Sequence, residues 1–283
     1  MNTFLLVCVG VLGLVFGSFI NALVWRLHMQ RANEDKSTGK KKPSRTELAK
    51  FSIAKGRSMC PHCRHALAVK DLVPVASWLS LGGKCRYCHK AISWQYPFVE
   101  VLCSVLFALV FVLHPISWHG NLAIHLLTYI LVVLGLALAV YDAKWYILPN
   151  KLVYPFNALA ALYAAGAAWY VQDFQTLASA ALAALVLYVF FRLIFEASKG
   201  QWIGYGDVRL AIGLGLIAGT VPKVLLLLFA ASTLGTLVSL PLLMHRKNMH
   251  MQIPFGPFLL AATFAVLLWG QIVMDWYMAF THI

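Results

Sequence analysis

Apolar runs long enough to cross a bilayer follow one another along nearly the whole chain, and no other feature limits its fold as strongly. A spanning helix needs about 20 apolar residues for a ~30 Å hydrocarbon core. About eight runs reach or approach that length: Thr3 to Trp25, Phe98 to Leu113, Leu122 to Tyr141, Leu152 to Val171, Phe174 to Phe195, Val208 to Gly219, Val224 to Met244 and Phe255 to Val273. In hydrocarbon every backbone group must bond within its own segment, so each run is expected to be a helix. At 61% hydrophobic and 12% charged residues, the composition excludes a soluble globular domain. The expected fold is an all-α polytopic membrane protein. The first run lacks a basic leader and a small-residue cleavage site, and reads as a retained span rather than a signal peptide. The sixth, at 12 residues, is short and glycine-rich. It must extend back through "WIGYGD", tilt little, or lie against protein rather than lipid.

Lys and Arg set the expected orientation, because basic residues in short loops stay on the cytoplasmic side. Fifteen of the 23 lie between Arg26 and Lys90, the one long loop, which is therefore assigned to the cytoplasm with the N-terminus outside. Alternating from there, Lys144 and Lys151, then Arg192, Lys199 and Arg209, then Arg246 and Lys247 fall inside, and Lys223 alone falls outside. The net charge of +13 thus reads as topology and contact with anionic lipid, not as nucleic-acid binding. The expected organisation is a first helix over 1–25, a cytoplasmic loop over 26–96 and a seven-helix membrane region over 97–283.

Inside that loop, the Lys-rich run "RANEDKSTGKKKPSRTELAK" has no apolar period and reads as a linker. The following stretch carries Cys60 and Cys63 in "CPHC" and Cys85 and Cys88 in "CRYC". A Cys-x-x-Cys turn points two sulfurs at one metal, and two such turns close a tetrahedral shell with no open position, which fits structural Zn2+. A disulfide pair or a redox motif would use the same residues, but stable disulfides do not suit a cytoplasmic loop. His62, His65 and His89 stand beside the cysteines as spare ligands, while Cys8 and Cys103 lie in spans as ordinary buried thiols.

Six acidic residues lie outside the first loop. Asp173, Glu196 and Asp275 fall at helix ends and suit a solvated role. Asp142, in "AVYDAKWYILPN", and Asp207, in "GYGDVRL", are both assigned to the cytoplasmic membrane boundary. Two carboxylates at one depth on different helices can share a proton, one serving as base and the other as acid. That is the arrangement of metal-free aspartic proteolysis. Gly204 and Gly206 would permit unusual backbone angles and let a substrate strand approach. Each Asp could instead cap a helix or pair with Lys144 or Arg209. Glu100, just inside a span, is a further functional candidate, with a buried pair to a loop Lys or Arg as the plainer reading.

Taken in order, "GLVFGSFINALVWRL", "CPHC" through "GGKCRYC", "YPFVEVL", "YDAKWYILPN", "GYGDVRL" and "IPFGPFLLAA" resemble the motifs of the type IV prepilin peptidases, a family of GxGD membrane aspartic proteases. The resemblance covers nearly the whole chain. It implies a bifunctional enzyme of the bacterial inner membrane that cuts the basic leader from prepilins or pseudopilins after a glycine, on the cytoplasmic side. The enzyme would then methylate the new N-terminus with S-adenosylmethionine. Asp142 and Asp207 would be the proteolytic pair, the cysteine insert would go with methylation, and Glu100 would be a candidate for methyl transfer. Arg209 stands where the family usually has Lys and keeps the charge, so the change is expected to be tolerated; "RLH" stands where "RLP" is common. Rival readings are an ion- or proton-coupled transporter with a regulatory zinc module, and a membrane scaffold.

Overall fold

The apolar runs fold as helices in a computed structural model that describes residues 3–37, 52, 56, 58–113, 122–246 and 253–281. Two compact units divide the chain, 1–108 and 109–283. Among the described residues seven helices are long and apolar enough to span a membrane.

The first unit is built on α1 (Thr3–Ser37) and α3 (Gln95–Leu113). α1 runs well past the apolar stretch, so that residues 31–37 of the expected linker continue the helix; the Lys-rich remainder, 38–51, lies outside the described residues. The two helices meet along Gly10, Gly13 and Gly17. A Cβ on Gly13 would stand 2.5 Å from the Ser104 backbone, and one on Gly17 2.5 Å from the Glu100 backbone. Close backbone approach of this kind is how helices gain contact in lipid, where no hydrophobic force favours association. The Ser104 hydroxyl donates to Gly10 O at 2.8 Å and Phe16 meets Phe107 at 5.7 Å between ring centres. Between these helices in sequence lie a 3-10 turn (Val69–Asp71) and the short α2 (Ala76–Ser80).

The second unit holds α4 (Leu122–Trp145), α5 (Asn150–Val171), α6 (Phe174–Ala197), α7 (Tyr205–Ala218), α8 (Val221–Arg246) and α9 (Gly256–Thr281). Large apolar side chains such as Phe229, Leu237, Ile272 and Trp276 are exposed on its surface, as suits hydrocarbon. Asp173 caps α6, accepting from the Gln175 N–H at 2.9 Å; Glu196 pairs with Arg192, and Asp275 accepts from Gln271. These three carboxylates have the peripheral roles expected of them.

α7 is the exception among the spans. It extends back to Tyr205 but has only 14 residues, about 21 Å at 1.5 Å per residue, short of a ~30 Å core. It is lined by α5, α6 and α9, and most of its residues from Asp207 to Ala218 are buried. Glycine makes this possible, since a Cβ on Gly215 would run into the Ala184 backbone. The helix ends at Gly219, in the left-handed region at φ 79°, where the Gly219 N–H returns to Gly215 O and the Ser179 hydroxyl reaches Gly219 O at 3.0 Å. A helix end away from water needs such partners for its carbonyls.

Candidate functional site

Asp142 lies in the last turn of α4 and Asp207 in the first turn of α7, both buried, with 6% and 9% exposure, and near enough for their charges to interact. α5 and α9 each pack against both α4 and α7 and hold the two ends together. Asp142 ends its helix where Tyr146 turns into the left-handed region at φ 58°, its N–H still bonded to Asp142 O at 2.8 Å. Pro149 then opens α5.

Neither aspartate pairs with a basic residue among the described residues. Asp142 Oδ2 accepts the Gly256 N–H at 3.2 Å, from the first residue of α9. A Cβ at Gly256 would fall 2.6 Å from that oxygen, so any larger residue would push the carboxylate aside. Asp207 Oδ1 is buried without a hydrogen-bond partner among the described residues. Folded proteins seldom leave a buried carboxylate oxygen unbonded, and the exceptions concentrate where chemistry is done. Two buried carboxyl groups, one anchored and one with a free oxygen, can activate a water and protonate a carbonyl without a metal.

The glycines of "GYGD" work differently from the expectation. Neither adopts an unusual backbone angle: Gly204 is extended at φ −77°, and Gly206 is not among the positive-φ glycines. The space beside Gly206 is taken by Leu148, whose Cβ would stand 2.9 Å from an added Cβ, so this glycine locks the two aspartate motifs together. Gly204 leaves room next to Asp207 Oδ2, the nearest atom to an added Cβ at 3.7 Å. Gly256 and Leu148 escaped sequence reasoning as site residues. The proline-flanked "IPFGPF" block was visible, but nothing local connects it to an aspartate 114 positions away.

The first unit brings the four cysteines together. Their sulfurs lie within 4.8 Å of one another, a group that can hold a metal ion; no histidine joins it among the described residues. A zinc tetrahedron with ~2.3 Å bonds has edges of about 3.8 Å, and Cys60 Sγ and Cys88 Sγ are 3.9 Å apart. The two knuckles have the same build. Arg64 N–H bonds Cys60 O and Cys60 N–H bonds His65 O; likewise His89 N–H bonds Cys85 O and Cys85 N–H bonds Lys90 O. Arg64 and His89 both sit in the left-handed region, at φ 59° and 56°. Burial pushes the Cys60 thiol up to about 12, whereas Cys85, despite its burial, is brought down to about 7, mainly by the amides of Cys88 and Tyr87. Asp71 braces the second knuckle, accepting from Arg86 at 2.8 Å and from the Tyr87 hydroxyl at 3.2 Å.

Among the described residues, Glu100 pairs with no loop Lys or Arg. Its Oε2 accepts the Val75 N–H at 2.7 Å, holding a β-branched residue at φ 59°, where such residues are strained. One helical turn earlier, Tyr96 O accepts from Asn21 Nδ2 at 3.1 Å, and Asn21 Oδ1 is buried without a hydrogen-bond partner among the described residues.

Comparison with known proteins agrees with this layout. Residues 11–114 match the bacterial peptidase A24 N-terminal domain and residues 129–240 the type IV leader peptidase family. Prepilin leader peptidase/N-methyltransferase of Stutzerimonas stutzeri is 31% identical over 98% of this chain and 94% of its own length. The proteins of the same name from Aeromonas salmonicida strain A449 and Burkholderia pseudomallei strain 1026b are 32% and 34% identical, over 94% and 92% of this chain and 91% and 84% of theirs. No solved structure matches. The transporter reading finds no counterpart in these relatives. The chain is a multi-pass membrane protein that belongs to the type IV leader peptidase family.

Proposed function

We propose that this protein removes the leader from prepilins or pseudopilins at the cytoplasmic face of the bacterial inner membrane and then methylates the new N-terminus. The observation that carries the peptidase reading is the approach of Asp142 and Asp207, two buried carboxyl groups held by Gly256 and Leu148 with no basic partner among the described residues. One carboxylate takes a proton from water as it attacks the scissile carbonyl, and the other, protonated, donates to the carbonyl oxygen. The substrate strand passes Gly204, where the space beside Asp207 is open, while Gly206 is committed to Leu148. A basic leader in the cytoplasm joined to an apolar helix in the bilayer puts the scissile bond at the membrane boundary. The ends of α4 and the starts of α7 and α9 meet at the dyad, and the Lys and Arg distribution assigns these ends to the cytoplasmic side.

Zn2+ would be held by Cys60, Cys63, Cys85 and Cys88 as a structural ion, its shell closed to substrate. S-adenosylmethionine supplies a methyl group on a positively charged sulfonium. The residues of the first unit suit a cationic group: Glu100 and Asn21 Oδ1, which has no hydrogen-bond partner among the described residues, are buried acceptors near the contact of α1 with α3. Glu100 also fixes Val75 in the insert, which gives it a supporting role in methylation beside any direct one.

Mass spectrometry of a pilin-like substrate incubated with the enzyme and S-adenosylmethionine should show loss of the leader and a methylated N-terminus. Asp142→Asn and Asp207→Asn, each checked for normal membrane insertion, should leave the leader in place. Full processing by either variant would remove the dyad from the mechanism.

A further inference from the structure

Residue 209 is gripped twice by one face of α5. The Arg209 guanidinium donates to Asn150 Oδ1 at 2.6 Å, and its backbone carbonyl accepts from Asn157 Nδ2 at 2.8 Å. Asn150 and Asn157 are seven residues apart, two turns, and so lie on the same side of α5. Gly213, one turn beyond Arg209 on α7, leaves the room that Asn157 occupies, since a Cβ there would collide with Asn157 Oδ1.

Residue 209 has a third partner, again through its guanidinium. Its carbon lies 4.4 Å from the centre of the Tyr205 ring, four residues earlier on the same helix. Tyr205 is itself fixed from α6, where Arg192 donates to its hydroxyl at 3.2 Å and Phe195 packs at 5.2 Å between ring centres. A run of contacts therefore ties α6 to α5 through Tyr205 and Arg209, across the first turn of α7, the turn that carries Asp207. A planar guanidinium can stack on a ring and bond an amide oxygen at once, whereas a Lys ammonium is a point charge that can satisfy one of these but not both in the same pose.

We propose that Arg209 is a positioning residue for the proteolytic step: through Asn150, Asn157 and Tyr205 it fixes the register of α7 on α5, and with it the placement of Asp207 toward Asp142. This rests on the dyad reading above. Arg209 bonds Asn150 rather than either aspartate, so it acts through the helix and not on the reacting atoms.

The test uses the full-length enzyme in detergent or nanodiscs with a prepilin substrate, measuring kcat and KM for Arg209→Ala, Arg209→Lys, Asn150→Ala and the double variant Asn150→Ala with Arg209→Ala. The expected result is a fall in kcat of about tenfold for each single variant, about 1.4 kcal/mol of barrier, with KM changed less than about twofold. The double variant should be no slower than the slower single, because both singles remove the Arg209–Asn150 contact, and Lys should not restore the rate. An unchanged kcat, an effect confined to KM, or additive losses would each overturn the proposal; a KM effect alone would make Arg209 a substrate contact. Should the Arg209 variants not insert, Asn150→Ala alone decides the matter, and normal kcat there overturns it. Asp207→Asn, run in parallel, separates the two readings: residual cleavage in that variant refutes the dyad itself, whatever Arg209 does.

Discussion

The metal module and the aspartate pair solve the same problem, bringing polar groups together, in opposite ways. The four cysteines lie within a stretch in which Cys60 and Cys88 are 28 residues apart, and each pair is set by its own turn. The dyad instead depends on three helix ends, with Asp142 bonded to a glycine 114 residues further along the chain. In the first case the geometry is local and a bound metal would complete it. In the second, geometry is the product of helix packing, and small residues rather than ligands control it. Changes near the cysteines should therefore act through metal retention, and changes near the aspartates through distance.

The largest separation of the two regions should come from Cys60→Ser with Cys63→Ser. Structural zinc supplies about 10–16 kcal/mol of apparent binding energy to small modules, so the variant should lose its metal by elemental analysis and lose methylation, while leader cleavage persists. Loss of both activities together would end the claim that the regions are separable. Next is Gly256→Ala. Its new Cβ would stand 2.6 Å from Asp142 Oδ2 and must push the carboxylate aside by about 1 Å, a misplacement that costs about a hundredfold in rate. Zinc content and methylation of a pre-cleaved substrate should stay normal, and a wild-type cleavage rate would show that Asp142 is not held from α9.

The smallest effect is expected at Asp71. Burial works against its charge, but Arg86, the Ala68 N–H and the Tyr87 hydroxyl outweigh it and hold the carboxyl below its ordinary value. A depressed folded-state value stabilises above the unfolded value of about 4 and loses that contribution as pH falls through the folded one. Asp71→Asn should therefore speed zinc loss to a chelator by a similar factor throughout pH 5–7, through the loss of its charged hydrogen bonds to Arg86 and Tyr87. A difference that changes across that range would point to another titrating group.

Much of both regions was legible in the sequence. The apolar runs give the helices because lipid leaves the backbone no alternative, and the doubled Cys-x-x-Cys gives the metal group because its spacing is its geometry. Asp142 and Asp207 stood out as carboxylates where carboxylates are costly. What stayed hidden depends on packing between distant segments: Gly256 against Asp142, Leu148 in the notch of Gly206, the Val75 amide on Glu100. A glycine in a string of letters does not say which neighbour fills the space it leaves. For Gly206 the natural guess was substrate, and the occupant is the loop after Asp142.

The short α7 has a consequence for the membrane in which the enzyme works. Its far end is closed by bonds to Gly215 and Ser179, and α5, α6 and α9 pack along it. The position of Asp207 is thus set by the helices packed around α7. Outer helices can tilt to match a thinner or thicker bilayer at modest cost, while the carboxylates keep their spacing. If the dyad is the site of cleavage, the cleavage rate should change little between vesicles of shorter- and longer-chain lipids, where a site slung between full-length spans would be misaligned.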